Sequence, residues 1–326
     1  MKKLIGLLSC AVLVFGCTKT STNEEMLKAE EPIAGADAMT HRACASQDVL
    51  ATQLAADPSL AARMAAIEEQ TESFIANGGA DSYTSGGIVY LPGVVNVLYR
   101  TTAENISQAQ IQSQIDVLNK DFSGTNTDIN KVPSNFVGVK AGNIPVRFVL
   151  DQVIRKATTK TSWTTNNDMK KSTMGGINPT SASTKLNMWV CNMGGGILGY
   201  AQFPGGALAT DGVVMDNNAF GVTATGPFNL GRTATHEVGH WLNLRHIWGD
   251  ATCGSDLVTD TPAHTGANGG CPAAGTRSSC SGTPVMMTMN YMDYTDDACM
   301  YMFSLGQKSR MNAVFAVGAS RRSWAL

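Results

Sequence analysis

Apolar residues recur at helical spacing in several parts of the chain. Residues 46–76 carry apolar side chains three and four positions apart, with a break at Asp57-Pro58, and predict two helices. Residues 107–122 predict a third helix by the same spacing. Its apolar face consists of Ile111, Ile115, Leu118 and Phe122. A last helix is predicted from Ser304, where Gln307 completes a capping box.

Strand patterns alternate with these helices. Runs rich in β-branched and aromatic residues predict strands at 87–99, 146–153 and 186–190. A glycine-led segment, 194–204, is predicted to be extended. The polar Gly/Ser/Asn stretch 75–87 is the best linker, so we predict a mainly helical segment before it and an α/β (α+β) domain after it.

The first residues indicate export. Lys2 and Lys3 precede the apolar run 4–15, which is typical of a secretory signal and too short to span a bilayer. Cys17 follows a sequence that resembles a bacterial lipobox; a plain signal peptide with a chance cysteine is the alternative. We therefore predict a lipoprotein signal peptide at 1–16, a segment at 17–80 that begins with a polar tether, and the main domain at 81–326.

Composition narrows the function classes. Of the 326 residues, 43% are hydrophobic, which excludes disorder over the whole chain, and a net charge of −2 gives no general attraction to nucleic acid. Residues 18–81 carry eleven acids against four bases, whereas residues 82–326 carry fifteen acids against eighteen bases. This asymmetry favours two parts that contact each other within a monomer.

One motif carries the chemistry. His236 and His240 lie four apart, so a helix would present both on one face, where they can bind Zn²⁺. Glu237 is placed to act as a general base on a water molecule. His246 is predicted as the third ligand, because a hydrolytic zinc site takes three protein ligands and keeps one open position.

Two observations support His246. Three of the five histidines of the chain lie in this motif, which makes a helix with ordinary surface histidines a poor alternative, and no glutamate follows Glu237 to serve as a ligand instead. A continuous helix would turn His246 away from His240. The helix must therefore end near Leu242 and reverse, and Asn243 suits the left-handed conformation that this reversal needs.

The motif resembles the signature of the metzincin metalloproteases, with Asn243 in place of the usual glycine. The resemblance is closer to the bacterial branch of the pappalysin family. It rests on the blocks Leu186-Asn-Met-Trp-Val-Cys-Asn192, Gly194-Gly-Gly-Ile-Leu-Gly-Tyr-Ala-Gln-Phe-Pro204, Gly231-Arg-Thr233 and Asn290-Tyr-Met-Asp-Tyr294. It implies a twisted mixed sheet with the active-site helix above, and an irregular, disulfide-tied lower part ending in a helix.

The resemblance also implies roles by position. Met292 matches the methionine of the tight turn beneath the zinc, and Tyr294 matches the tyrosine that supports the transition state. Gly195, Gly196 and Leu198 match the edge strand that binds substrate by strand addition; a plain surface hairpin is the alternative. Some relatives prefer Arg or Lys after the cut bond, and Asp296 and Asp297 are nearby acids in the sequence.

Six cysteines lie beyond the signal and Cys17, and export permits disulfides. Four of them fall within 253–299, and sequence alone leaves three pairings open. The resemblance implies the pairs Cys253–Cys280 and Cys271–Cys299. Relatives bind calcium nearby, which makes Asp256, Thr259 and Thr261 candidate Ca²⁺ contacts; a solvated polar loop is the alternative.

The acidic segment 17–80 resembles a tether followed by a metzincin prosegment, which implies that 81–326 is the catalytic domain. Within the prosegment, Arg42-Ala43-Cys44 resembles a cysteine switch, in which a thiolate fills the open zinc position of a precursor. An unpaired free cysteine is the alternative. Cys191, at the end of an apolar strand, is predicted to be buried.

Together these features predict a zinc-dependent endopeptidase made as a zymogen. It would act on protein or peptide substrates, as a lipoprotein of the bacterial outer membrane or cell surface, with its catalytic domain released or retained. Two other classes stay open: a zinc-binding surface lipoprotein without proteolytic activity, and a zinc amidohydrolase acting on a non-peptide amide.

Overall fold

The computed structural model describes residues 42–79 and 87–325. The predicted signal, tether and Cys17 lie outside the described residues. The helices are α1 Ser46–Ala56, α2 Ser59–Ala76, α3 Gln108–Ser123, α4 Arg232–Trp241 and α5 Leu305–Ala313. The strands are β1 Val89–Tyr99, β2 Val146–Ala157, β3 Leu186–Cys191, β4 Gly199–Ala201 and β5 Val213–Asp216. Short 3-10 helices lie at Ile129–Lys131, Val137–Val139, Asp168–Lys170, Ser172–Met174, Leu208–Thr210, Asp297–Cys299 and Arg322–Ala325.

These strands form one mixed sheet in the order β2-β1-β3-β5-β4. β1 runs parallel to β2 and β3, and β3 runs parallel to β5. β4 alone among them runs antiparallel to its neighbour, β5, and forms an edge of the sheet. The active-site motif lies on α4, which contacts β4 and β5.

Alternate side chains of the sheet fill two separate cores. Met188 and Val190 of β3 pack with α3 and α4 in the larger core. Trp189 and Cys191 point to the other face, where Val49 of α1 covers them. The sheet is therefore buried on both faces, as its parallel strands require.

The predicted helices agree with those observed. α1 and α2 are separated at Asp57-Pro58, as the sequence indicates. α3 begins after Ser107, whose side chain accepts a hydrogen bond from the backbone N–H of Gln110. β5 was not predicted, because its four residues are all buried and give no alternation.

The region after α4 is irregular and cross-linked. Disulfides join Cys253 to Cys280 and Cys271 to Cys299, the pairing that the resemblance implies. α5 follows with the expected capping box between Ser304 and Gln307. Within the described residues, no helix combines the length and the apolar character needed to cross a membrane.

Candidate active site

Helix α4 is held rigidly in the core. All ten of its residues are buried. Asp297 Oδ2 accepts hydrogen bonds from the backbone N–H groups of Leu230 (2.8 Å) and Arg232 (3.1 Å), which places a carboxylate at the positive end of the helix. Thr235 Oγ1 donates to Asp121 at 2.7 Å and ties the helix to α3. The histidines of α4 are therefore carried by a fixed element.

The chain reverses directly after this helix. Asn243 has a φ of 72°, in the left-handed region. The backbone N–H of Leu244 donates to the carbonyl of Gly239 at 2.9 Å, closing the turn. This is the reversal that the sequence predicts at Asn243, and it returns His246 to the other two histidines.

The three imidazoles converge through their Nε2 atoms. His240 Nε2 lies 3.1 Å from His236 Nε2 and 3.1 Å from His246 Nε2. The opposite nitrogens have oxygen partners: His236 Nδ1 bonds Tyr291 O at 2.7 Å and His240 Nδ1 bonds Leu244 O at 2.8 Å. His246 Nδ1 bonds the Asp250 carboxylate.

This pattern fits a metal ion. A carbonyl or carboxylate oxygen can only accept, so each Nδ1 carries the proton and each Nε2 presents a lone pair. Burial and the neighbouring imidazoles lower the pKa of His236 and His240, so these rings are neutral. Three lone pairs that face one another need a cation between them, and three imidazoles suit Zn²⁺.

Cys44 supplies a fourth donor. Its Sγ and the three imidazole nitrogens all lie within 4.8 Å of one another, the one such cluster of metal-binding side chains among the residues described. Burial raises the pKa of the Cys44 thiol well above its usual value. A thiolate at this position therefore requires an adjacent cation.

The backbone around Cys44 extends the sheet. Leu198 N donates to Ala43 O at 2.9 Å, and Ala45 N donates to Gly199 O at 3.0 Å. Cys44 pairs with Gly199 in the parallel sense. Of the predicted edge-strand residues, Leu198 makes this contact. Gly195 and Gly196 instead form an exposed turn before β4, with φ values of 72° and 71°.

Glu237 is the buried carboxylate of the site. Its Oε2 accepts from Ser46 Oγ at 3.0 Å and from the Cys44 thiol at 3.4 Å. Burial raises the pKa of Glu237 to about 7. Ser46 Oγ also accepts from Ala201 N at 2.9 Å. Sequence reasoning missed Ser46, although its position two residues after Cys44 was a usable signal.

Tyr294 and Met292 also lie close to the histidine-bearing segment. The Tyr294 hydroxyl donates to the Cys44 carbonyl at 3.2 Å, and its ring packs 5.0 Å from the His246 ring. Burial raises the pKa of Tyr294, so the phenol stays protonated. Met292 lies directly against α4, since a Cβ on Gly239 would come within 2.5 Å of its sulfur.

Arg42, two residues before Cys44, fills an acidic pocket next to the site. Its guanidinium bonds Asp297 at 2.6 Å, Thr233 Oγ1 at 3.0 Å and Thr295 O at 3.3 Å, with the Phe228 ring 4.9 Å away. Asp296, the other candidate acid, is half-buried outside these contacts.

The candidate calcium residues lie in the irregular region. The Asp256 carboxylate accepts from Thr261 Oγ1, at 2.9 Å to each oxygen, and from Val258 N at 3.1 Å. Burial raises the pKa of Asp256 to about 6. Thr259 follows Val258 in the same loop.

Known proteins resemble this chain along most of its length. Residues 185–316 match the family model described as pregnancy-associated plasma protein-A, a peptidase family. An extracellular metalloprotease of Pyricularia oryzae is 31% identical over 93% of this chain and 89% of its own length. An extracellular metalloprotease of Verticillium alfalfae is 32% identical over 69% of this chain and 78% of its own length.

Solved structures agree. Mature mirolysin of Tannerella forsythia, in complex with a cleaved peptide, is 42% identical over 73% of this chain and 96% of its own, with a TM-score of 0.71. A point mutant of Tannerella forsythia promirolysin is 38% identical over 87% of this chain and 97% of its own, with a TM-score of 0.79. Both the mature form and the longer precursor are therefore similar to this chain. The chain belongs to the pappalysin family of metzincins, as an exported zinc metalloendopeptidase made as a zymogen.

Proposed function

We propose that His236, His240 and His246 hold the catalytic zinc and that Glu237 and Tyr294 act on the peptide bond. The convergence of three Nε2 lone pairs within about one hydrogen-bond length is the observation that carries this proposal. Zinc bound there supplies a positive charge that polarises the scissile carbonyl and makes a water molecule more acidic.

The protein groups then move the proton. Glu237 accepts a proton from the attacking water and later delivers it to the leaving amine. A carboxylate can do both, first as a general base and then as a general acid. The Tyr294 hydroxyl, held in its protonated form, donates to the developing oxyanion. Met292 supports the histidines from beneath.

Replacing the general base tests this proposal. Glu237→Ala should keep zinc at full occupancy, since the imidazoles are untouched, and lower casein hydrolysis by about 10³-fold or more because the proton acceptor is gone. Activity and zinc content are measured together, with a chelator-treated wild type as control. Activity within tenfold of wild type would contradict the assignment.

The same assay separates the two alternative functions. A zinc-binding surface protein would bind the metal and cleave no casein, and a non-peptide amidohydrolase would hydrolyse small amides only. The backbone hydrogen bonds that Leu198 and Gly199 make to residues 43–45 favour a peptide substrate, because an extended peptide forms such bonds at a sheet edge.

We propose that Cys44 is the switch of the zymogen. The sulfur of Cys44 lies close to the three imidazole nitrogens, and its carbonyl accepts a hydrogen bond from the Tyr294 hydroxyl. The Ser46 hydroxyl donates a hydrogen bond to Glu237. Two residues, Cys44 and Ser46, would thus occupy the metal site, the hydroxyl of Tyr294 and the carboxylate of Glu237 at once. The alternative of an idle free cysteine explains none of these contacts.

Arg42 supports a proposal on specificity. A basic side chain fits the pocket of Asp297, Thr233 and Thr295, where Arg42 itself lies in the precursor. We propose that the mature enzyme accepts Arg or Lys there, on the residue after the cleaved bond.

The remaining proposals concern calcium and export. We propose that Asp256, Thr259 and Thr261 bind Ca²⁺; the carboxylate of Asp256 and the hydroxyl of Thr261 already lie 2.9 Å apart in this loop. We further propose that lipidation of Cys17 anchors a monomeric precursor to the cell envelope. A cut within 77–87 would then separate the 17–80 segment from the 81–326 domain and release the enzyme.

A further inference from the structure

Helix α2 makes a second set of contacts, separate in sequence from Arg42 and Cys44. It lies in a groove formed by the loop after β4 and by α5. We call this surface the α2 groove and define it by Gly205, Arg310, Ala313 and Ala316.

Apolar side chains of α2 fill this groove. Leu60 and Phe74 are 2% and 6% exposed. Phe74 packs with Ala313, the last residue of α5, and with Ala316, which follows the helix. At the other end, a Cβ on Gly205 would come within 3.2 Å of Ile67 and 3.6 Å of Leu60, so the missing side chain lets the helix approach.

Spacing explains why these residues act together. Leu60, Ile67 and Phe74 follow one another at intervals of seven, which places them along one face of a helix. An amphipathic helix in a groove is a common recognition mode, with anchors at such intervals.

Polar contacts fix the position of the helix. Both Glu68 carboxylate oxygens pair with the Arg310 guanidinium, at 2.6 and 2.7 Å, and the Arg310 side chain is only 2% exposed. Arg63 Nε donates to Gly205 O at 2.8 Å, and Gln70 Nε2 donates to Ala313 O at 3.2 Å. A two-pronged ion pair of this kind is strong and directional.

We propose that the α2 groove is a docking surface in its own right, whose occupant is α2 of the same chain. This rests on the proposed prosegment role of residues 17–80. A cut between Gly79 and Gly87 would then leave residues 42–79 bound to the enzyme. Activation would require a further step, either dilution or degradation of the severed segment.

The test uses the full chain with a specific protease site inserted between Gly79 and Gly87, in a Glu237→Gln background that prevents self-cleavage. After the cut, retention of the N-terminal piece is followed by size-exclusion chromatography at micromolar concentration. The parent is compared with Cys44→Ala, which removes the switch, and with Glu68→Arg, which reverses the charge facing Arg310. Glu69→Arg is the matched control, because Glu69 is exposed on the same helix.

We expect the parent, Cys44→Ala and Glu69→Arg to retain the piece, also after zinc is chelated. Glu68→Arg should release it at least tenfold faster, and Glu68→Arg with Arg310→Glu should restore retention. Thermal unfolding of each uncut chain shows whether it folds. Immediate release from the parent, or equal release from the two Glu→Arg variants, would overturn the proposal. Zinc content and wild-type casein hydrolysis, measured separately, would show whether the protease assignment had failed instead.

Discussion

A single backbone conformation decides whether the third histidine reaches the site. Asn243 stands in the left-handed region at φ 72°, between the last turn of α4 and His246. Among non-glycine residues, Asn tolerates this region best, whereas a β-branched side chain does not. The turn, rather than the helix alone, therefore assembles the ligand set.

Two substitutions at this position should have opposite outcomes. Asn243→Gly should keep zinc affinity and activity within a few-fold of wild type, since glycine adopts the turn without strain. Asn243→Val should lower the free energy of unfolding by roughly 2 kcal/mol and weaken zinc binding, because His246 is misdirected. Competition with a chromogenic chelator measures the affinity. Equal zinc affinity in both variants would show that the turn does not need a left-handed residue.

Lys170 is a buried cation whose ionisation should affect stability. Its Nζ donates to Thr210 O at 2.7 Å and lies 5.2 Å from the Trp189 ring centroid. Burial lowers the pKa of Lys170 to about 7. Between that value and the pKa of an unfolded lysine, about 10.4, the unfolded chain binds more protons than the folded one. The contribution of Lys170 to the free energy of unfolding should therefore rise with pH in this window.

Lys170→Met should remove this pH dependence. From pH 7 to 9, the free energy of unfolding of wild type should rise relative to the variant by about 1 kcal/mol per pH unit. Urea unfolding of both proteins at each pH gives the difference, in which the other titrating groups cancel. Parallel pH profiles for the two proteins would mean that Lys170 has an ordinary pKa in the fold.

Residue spacing predicted the candidate site better than it predicted the supporting contacts. The order of His236, Glu237, His240 and His246 is local, so the motif and its turn follow from helix geometry. Asp250, which bonds His246 Nδ1, was missed; an acid four residues after a ligand histidine was the available signal. The partner of Arg42 lies 255 positions away, and only the fold brings the two together.

At the scale of elements, local periodicity predicted the helices, but the order of the strands in the sheet could not be predicted from the sequence. α1 to α3 follow from apolar spacing and α5 from its capping box. The order β2-β1-β3-β5-β4 depends on which buried faces fit together, and β5 gives no pattern of its own. The edge position of β4 is a consequence of that order.

The amino end of α4 connects the helix with the proposed specificity pocket. One oxygen of Asp297 accepts from the N–H of Arg232, the first residue of α4, and from that of Leu230 just before the helix, and the other oxygen pairs with Arg42 at 2.6 Å. Asp297→Asn keeps an acceptor for the helix and removes the negative charge. For peptides with arginine in the pocket, kcat/KM should fall by about 10²-fold, the effect of a lost buried charge pair.

The controls for this variant are built into the sequence and the substrate. Asp296→Asn changes the adjacent half-buried acid. This variant should hydrolyse arginine peptides with the kcat/KM of wild type. For matched peptides with leucine in place of arginine, the kcat/KM of Asp297→Asn should differ from that of wild type by less than threefold. An equal loss for both peptides would mean that Asp297 acts through α4 rather than through the pocket.

At the scale of the whole molecule, residues 42–79 of the acidic front segment pack against the mildly basic remainder. The segment contacts the active site through residues 42–46 and α5 through α2. The charge asymmetry in the sequence has a direct counterpart in the Glu68–Arg310 pair, although Arg42–Asp297 has the opposite polarity. The charge asymmetry of the sequence therefore indicated that the two parts contact each other. Which residues form the ion pairs between them depends on the fold.

Latency should depend on Cys44 in a way that a thiol reagent can measure. With zinc bound, a coordinated thiolate is shielded, so the full-length precursor should resist alkylation and hydrolyse casein slowly. Chelation of zinc should speed alkylation at least tenfold. Cys191, the other free thiol among the described residues, is fully buried and gives the internal reference for thiol access.

Cys44→Ala separates the switch from the other prosegment contacts. It should raise precursor activity or speed maturation, while an enzyme freed of residues 17–80 should keep its kcat/KM. Casein hydrolysis by the variant precursor should still be slower than by the mature enzyme. Arg42 continues to fill the Asp297 pocket, and Ser46 continues to donate a hydrogen bond to Glu237. Mass spectrometry of alkylated peptides and casein hydrolysis give the two measurements. A precursor that is fully active and alkylates at Cys44 without chelation would exclude the switch, and the zinc protease assignment would stand without it.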